Sequence, residues 1–197
     1  MSLTAIILVA IAALLVVWAT GAYNRLVRLR NEISNAFAQI DVQLKRRHDL
    51  IPNLVEVARK YMEHERDTLE RVTAARAQVM AATELVKSKP LEAGPIKSLG
   101  LAEGVLAGAM GRFQATVEAY PELKADARMQ ELSEELTHTE NRIAFARQLF
   151  NDATLDYNNA AQQFPTNVVA GVFSFREADM LQSTTQEAER APVAVKF

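Results

Sequence analysis

The first 24 residues carry no charged side chain, and the apolar run from Leu3 to Ala22 is closed by Arg25, Arg28 and Arg30 with no proline between. A hydrocarbon core of about 30 Å takes roughly 20 apolar residues of helix at about 1.5 Å each. The run meets that length, so a transmembrane anchor is expected over residues 1–22. A cleaved secretory signal would carry a basic n-region, a shorter apolar core and small residues before the cut. Met1 and Ser2 offer no Lys or Arg, although Ala19 and Gly21 form a small-x-small pair. A retained anchor fits the flanks and the length better. Lys and Arg near the span all fall on its C-terminal side, which places a short N-terminus outside and the rest of the chain in the cytoplasm, at the inner (plasma) membrane. Trp18 and Tyr23 lie near the exit end, where amphipathic rings favour the headgroup layer, and Arg25, Arg28 and Arg30 are close enough to contact anionic lipid.

About 170 residues remain beyond the span, enough for one domain with its own core. A net charge of −2 speaks against a general nucleic-acid binder. The chain has no cysteine, which excludes disulfides, thiolate chemistry and Cys-ligated zinc. Plentiful Ala, Leu, Glu, Gln and Arg favour helix, and no alternating β-branched run reads as a strand. The expected fold class is all-α, with the transmembrane helix continuous with a long-helix antiparallel bundle over 23–175 and an extended tail over 176–197.

Leu26, Leu29, Ile33, Phe37, Ile40 and Leu44 recur three or four residues apart and form one helical stripe, so span and stripe read as a single rod of about 45 residues. Pro52 predicts a kink or break, with Asp49 as the cap of a new start. Leu54, Ala58, Tyr61, Leu69, Val72 and Val79 then keep helical spacing to about Thr83, and Pro90, Gly94 and Pro95 mark a loop over 87–99. A shorter helix is expected from Leu101 to Ala119. The clearest pattern follows: Met129, Leu132, Leu136, Thr139, Ile143, Ala146, Phe150, Ala153, Tyr157, Ala160 and Phe164 alternate steps of three and four, a heptad seam stopped by Pro165. Thr139 and Tyr157 are polar members of that seam and need partners. Val168, Val169, Val172, Phe173 and Phe175 are too few for a second span and are expected to pack across the bundle end. The polar tail closes on Val193, Val195 and Phe197 and is expected either to be mobile in isolation or to dock on a neighbour, which the alternating apolar residues favour.

Few motifs carry chemistry. His64 and Glu65 begin an H-E-x-x-H pattern, but Thr68 stands where the second imidazole belongs, so no metal is expected. Gly100, Gly104, Gly108 and Gly111 lack the spacing and the preceding strand of a phosphate loop; Gly100, Gly104 and Gly108 instead share a helix face that permits close helix approach, the alternative being a frayed, flexible helix. Lys45, Arg46, Arg47 and His48 form a basic cluster beyond a Debye length from the membrane of an upright rod, suited to salt bridges with Glu131, Glu134 and Glu135 or to a partner's acidic face. Carboxylates spread along helices, with no paired-acid pocket, triad order or nucleotide signature, imply no catalytic site and no cofactor.

The run Tyr23-Asn24-Arg25-Leu26-Val27-Arg28-Leu29-Arg30-Asn31, then Asn35-Ala36 and the stretch from Gln39 through Lys45-Arg46-Arg47-His48-Asp49-Leu50-Ile51-Pro52 to Val55, resembles the LemA family. Tyr120-Pro121-Glu122-Leu123-Lys124-Ala125, Thr139-Glu140-Asn141-Arg142-Ile143-Ala144, Tyr157-Asn158 and Phe164-Pro165 extend the likeness over nearly the whole chain. The resemblance implies a short external N-terminus, one membrane helix, a cytoplasmic helical domain, no established catalysis and a link to membrane organisation. Met129 stands where an aromatic is usual, and Ser174-Phe175 where Gly-Phe is usual, departures confined to the bundle end. The expected function is a non-enzymatic membrane scaffold that contacts lipids and forms a homo-oligomer, with Lys45, Arg46, Arg47, Gly104, Gly108 and Phe197 as interaction candidates. The alternative is a membrane-tethered adaptor or sensor that recruits a partner protein.

Overall fold

The computed structural model describes residues 2–181, and among them every regular element is a helix. These are α1 (Leu3–Arg59), α2 (Arg66–Ser88), α3 (Ala93–Val117), α4 (Pro121–Ala125), α5 (Ala127–Gln162) and α6 (Thr166–Val172). The Ser2 side chain caps α1 by accepting from the Ala5 amide. With 57 residues, α1 is longer than the rod expected from the sequence, about 85 Å at the standard rise. Its first turns leave large apolar side chains from Leu3 to Val17 exposed, while the stripe from Leu26 to Leu44 is buried throughout.

The partner of that stripe is the α5 seam. Arg46 meets Glu135 and Phe37 meets Phe150, so descending α1 means ascending α5, an antiparallel pair. α2 and α3 form a second hairpin, with α2 also packed on α1, and α6 closes the end where α1 and α5 meet. One core of buried side chains runs through all of these helices. The seam is buried except at Ala153, which is half-buried, and Phe164, which lies past the end of α5 and faces out. Its polar members find partners: Thr139 Oγ1 donates to the Glu135 carbonyl at 2.8 Å, and Tyr157 Oη donates to the Arg176 carbonyl at 2.8 Å.

The break expected at Pro52 does not occur. Proline leaves the carbonyl four residues back without its helical donor. That carbonyl belongs to His48, and Arg76 Nε, from α2, donates to it at 2.8 Å. The helix passes through Pro52, and Asp49 caps nothing. The break lies instead at 60–65, where a continuing stripe would need an apolar residue and the chain offers His64 and Glu65. The expected loop over 87–99 shrinks to 89–92. Pro95 falls in the first turn of α3, where its missing N–H costs no helical bond, and Ile96 and Leu99 bury themselves directly after it.

Asp126 fixes the start of α5. Its Oδ1 accepts from the Arg128 and Met129 amides at 2.9 and 3.0 Å, and its Oδ2 accepts from Tyr61 Oη at 3.0 Å. The Met129 amide and the Tyr61 hydroxyl hold this carboxyl below the ordinary aspartate range. One acid thus ties the α1–α2 connector to the far end of the bundle.

Candidate interaction surfaces

The basic cluster of α1 divides. Lys45 is exposed, and Arg46 reaches Glu135, one of the acids expected to receive it. Arg47 takes the next stripe position after Leu44 and points inward: its side chain is 5% exposed and ion-paired to Glu103 of α3, itself 12% exposed. Arg47 Nη1 also donates to Glu140 of α5 at 3.1 Å. Burial alone would lower the guanidinium's pKa, but the hydrogen bond to Glu103 and the charges of Glu103 and Glu140 outweigh it and raise it above the usual arginine value. Arg47 is therefore a buried strut joining α1, α3 and α5, which corrects its assignment to a partner-facing patch. Beside it, an open groove between α3 and α5 is lined by Met110, Gly111, Ile143, Ala144 and Arg147.

Among the described residues no close approach is made through Gly108 on α3, because a Cβ added at Gly108 or at Gly111 would meet nothing within 4 Å. Gly104 is half-buried. Leu101 and Val105 are exposed and share this outward face, one turn apart, with Gly108 next in line.

Near the start of α3, where Lys97 lies 3.7 Å from Asp179, α5 grips the chain that follows α6. Asn158 donates from Nδ2 to the Ala178 carbonyl at 2.9 Å and accepts at Oδ1 from the Ala178 amide at 2.9 Å. Asn151 does the same for Leu181, at 3.2 and 2.8 Å. Seven helical residues rise about 10.5 Å, and three extended residues span about 10 Å, so the two asparagines match the spacing of the peptide units they hold. The described part of the expected tail, 176–181, is thus laid along α5. Val193, Val195 and Phe197 lie outside the described residues.

The end of the bundle where α1 leaves its bare apolar turns gathers the residues read as membrane contacts. Arg25, Arg28 and Arg30 are exposed, and Arg28 lies 3.8 Å from Glu32. The Tyr23 ring meets Phe173 edge-on at 4.9 Å and Phe175 at 5.5 Å. Trp18 sits just below, on α1. Of the patch after Pro165, Val169 is buried and Phe175 half-buried, as expected of packing across the bundle end, but Val168, Val172 and Phe173 face outward.

His64 and Glu65 sit in the α1–α2 connector, so they do not share the helix face that an H-E-x-x-H zinc site uses. Among the described residues no group of three or more His, Asp and Glu side chains is placed to hold a metal ion.

The architecture is that of a helical-bundle protein whose N-terminal helix is long and apolar enough to cross a membrane. The chain belongs to the LemA family, whose sequence profile matches residues 36–197. The matched segment begins inside α1, beyond the bare apolar turns. Protein LemA of Metamycoplasma hominis is 27% identical over 173 residues, covering 88% of this chain and 74% of its own. Magnetosome protein MamQ 2 of Paramagnetospirillum magneticum is 25% identical over 175 residues, covering 81% of this chain. Magnetosome protein MamQ of Magnetospirillum gryphiswaldense is 24% identical over 172 residues, covering 80% of this chain. The chain matches 64% and 63% of the lengths of these two magnetosome proteins.

Proposed function

We propose that this protein is a non-enzymatic, single-pass membrane scaffold of the LemA type, with its bundle in the cytoplasm, that self-associates to organise or shape the inner membrane. The observation that carries this reading is the outward face of α3. Leu101 and Val105 are exposed there, and Gly108 offers a gap into which a neighbouring side chain fits. Phe145 and Leu149 form a second exposed pair, one turn apart on α5. Two different apolar faces on one subunit favour side-by-side contacts that extend to rings or arrays. Arg25, Arg28 and Arg30 supply the headgroup contacts of each copy.

The absence of native cysteine makes the test direct. Gly108→Cys and Val105→Cys chains, oxidised in their native membranes, should each yield a disulfide-linked dimer, while Lys45→Cys, off that face, should not. No dimer from either α3 position would reject contact of this face with itself, and no dimer when Val105→Cys and Leu149→Cys chains are mixed as well would reject association through it altogether.

The groove between α3 and α5 favours a second reading, an adaptor or sensor that seats an extended segment of a partner protein. Its walls carry Leu106, Met110 and Ile143, and the half-exposed Glu140 lies along it. In-cell crosslinking from Lys45 and from Ala144→Cys separates the two: self-adducts support the scaffold, and one dominant foreign adduct supports the adaptor.

A further inference from the structure

α6 is amphipathic the wrong way round for a helix that merely closes a bundle. Thr166, Val169 and Ala170 pack inward, while Phe164, Val168, Val172 and Phe173 are 81%, 56%, 73% and 57% exposed. Four large apolar side chains in so short a stretch are more than scattered surface residues need, and contiguous exposed apolar patches mark contact sites.

Their place in the fold identifies the contact. Phe173 touches Tyr23, which directly follows the apolar run of α1. Ala22 is buried and Ala19 half-buried, so the cover over α1 reaches down into the last turn of that run. The α2–α3 turn comes to the same end: Lys89 and Leu91 line one crevice with Tyr23, Arg30 and Phe173. The headgroup layer is only about 6 Å thick on each side of the hydrocarbon core, little more than one helical turn. With α1 inserted to Ala22, the exposed face of α6 lies at that level.

We propose that α6 is an interfacial membrane element, inserting Phe164, Val168 and Val172 into the headgroup and upper acyl region of the bilayer that α1 spans. The proposal rests on α1 being a membrane span. Arg25 and Arg28 on α1, Lys89 at the α2–α3 turn and Arg176 after α6 are all exposed and supply cations around this apolar face, as interfacial helices require. Two attachments, one spanning and one lying in the surface, fix the tilt of the bundle against the membrane; a single helix leaves it free to rock.

Single-cysteine chains Val168→Cys and Val172→Cys, each carrying an environment-sensitive NBD probe, test this in nanodiscs of phosphatidylcholine and phosphatidylglycerol with or without 5-doxyl lipid. Val9→Cys reports on the span and Glu131→Cys on the far end of the bundle. Probes at 168 and 172 should emit to the blue and lose about half their intensity to doxyl lipid, as an interfacial depth of about 5–10 Å implies. The probe at 9 should be quenched in bilayers carrying the doxyl group deeper on the chain, and the probe at 131 should not respond. Unquenched probes at 168 and 172 beside a lipid-buried probe at 9 overturn the proposal while leaving the span intact. Blue-shifted but unquenched probes there mean a protein surface covers α6, which also overturns it. A probe at 9 that never meets lipid removes the span and the proposal together.

Discussion

Arg47 and Ser174 show how single side chains carry this fold. Removing one partner of a buried ion pair leaves the other charge desolvated and unpaired, at a cost of about 3 kcal/mol. Arg47→Met should therefore destabilise the detergent-solubilised chain by about 3 kcal/mol in chemical denaturation, because Glu103 is stranded in the α3 side of the core. Arg47→Met combined with Glu103→Leu should recover most of that loss, whereas Glu140→Gln, at a half-exposed position, should cost far less. Ser174 sits just past α6 at φ 56°, the left-handed region that favours glycine. Its amide reaches the Gly171 carbonyl, and the Phe175 amide reaches the Ala170 carbonyl at 2.9 Å, the paired bonds of a glycine-type helix terminator. Ser174→Gly should raise stability by up to about 1 kcal/mol, read as a higher melting temperature. The family pattern of Gly-Phe at this point has its physical reason in that backbone angle, which one residue's identity could suggest but not demonstrate.

Among the elements, the two that the sequence announces most clearly are the two that pack most extensively. The stripe on α1 and the seam on α5 each need one face covered, and they cover one another. Pro52 misled because its compensation is tertiary: the donor that rescues His48 O comes from a helix 28 residues further on. Arg76→Ala should cost about 1–3 kcal/mol by stranding that carbonyl. In a Pro52→Ala background the restored amide can pair with it, so the cost of Arg76→Ala should shrink to well under half. Equal costs in both backgrounds, measured as a double-mutant cycle, would show that the contact does not support the proline. The true break left only a faint trace, a missing apolar residue at 64 or 65, and the inward turn of Arg47 none beyond its stripe spacing, since Glu103 lies 56 residues away. The asparagine clasp was equally silent. Asn151 and Asn158 look like polar surface until the chain returns to lie across them.

For the whole molecule, α1 links everything. It begins as bare apolar helix, becomes one half of the principal packing pair, accepts α2 across Pro52, and ends at a connector tied by Tyr61 to the start of α5. Any force on the bundle is transmitted along one uninterrupted helix to the segment suited to the bilayer. The bundle closes its own core yet leaves apolar faces on α3 and α5, and the scaffold proposal assigns these to neighbouring copies. Native mass measurement of the full chain, released from its own membrane in mild detergent, tests this most directly. Particles at multiples of 21.8 kDa beyond one are expected, shifted toward the single chain by Val105→Glu on α3. A uniform single-chain mass across detergents and lipid nanodiscs would contradict it.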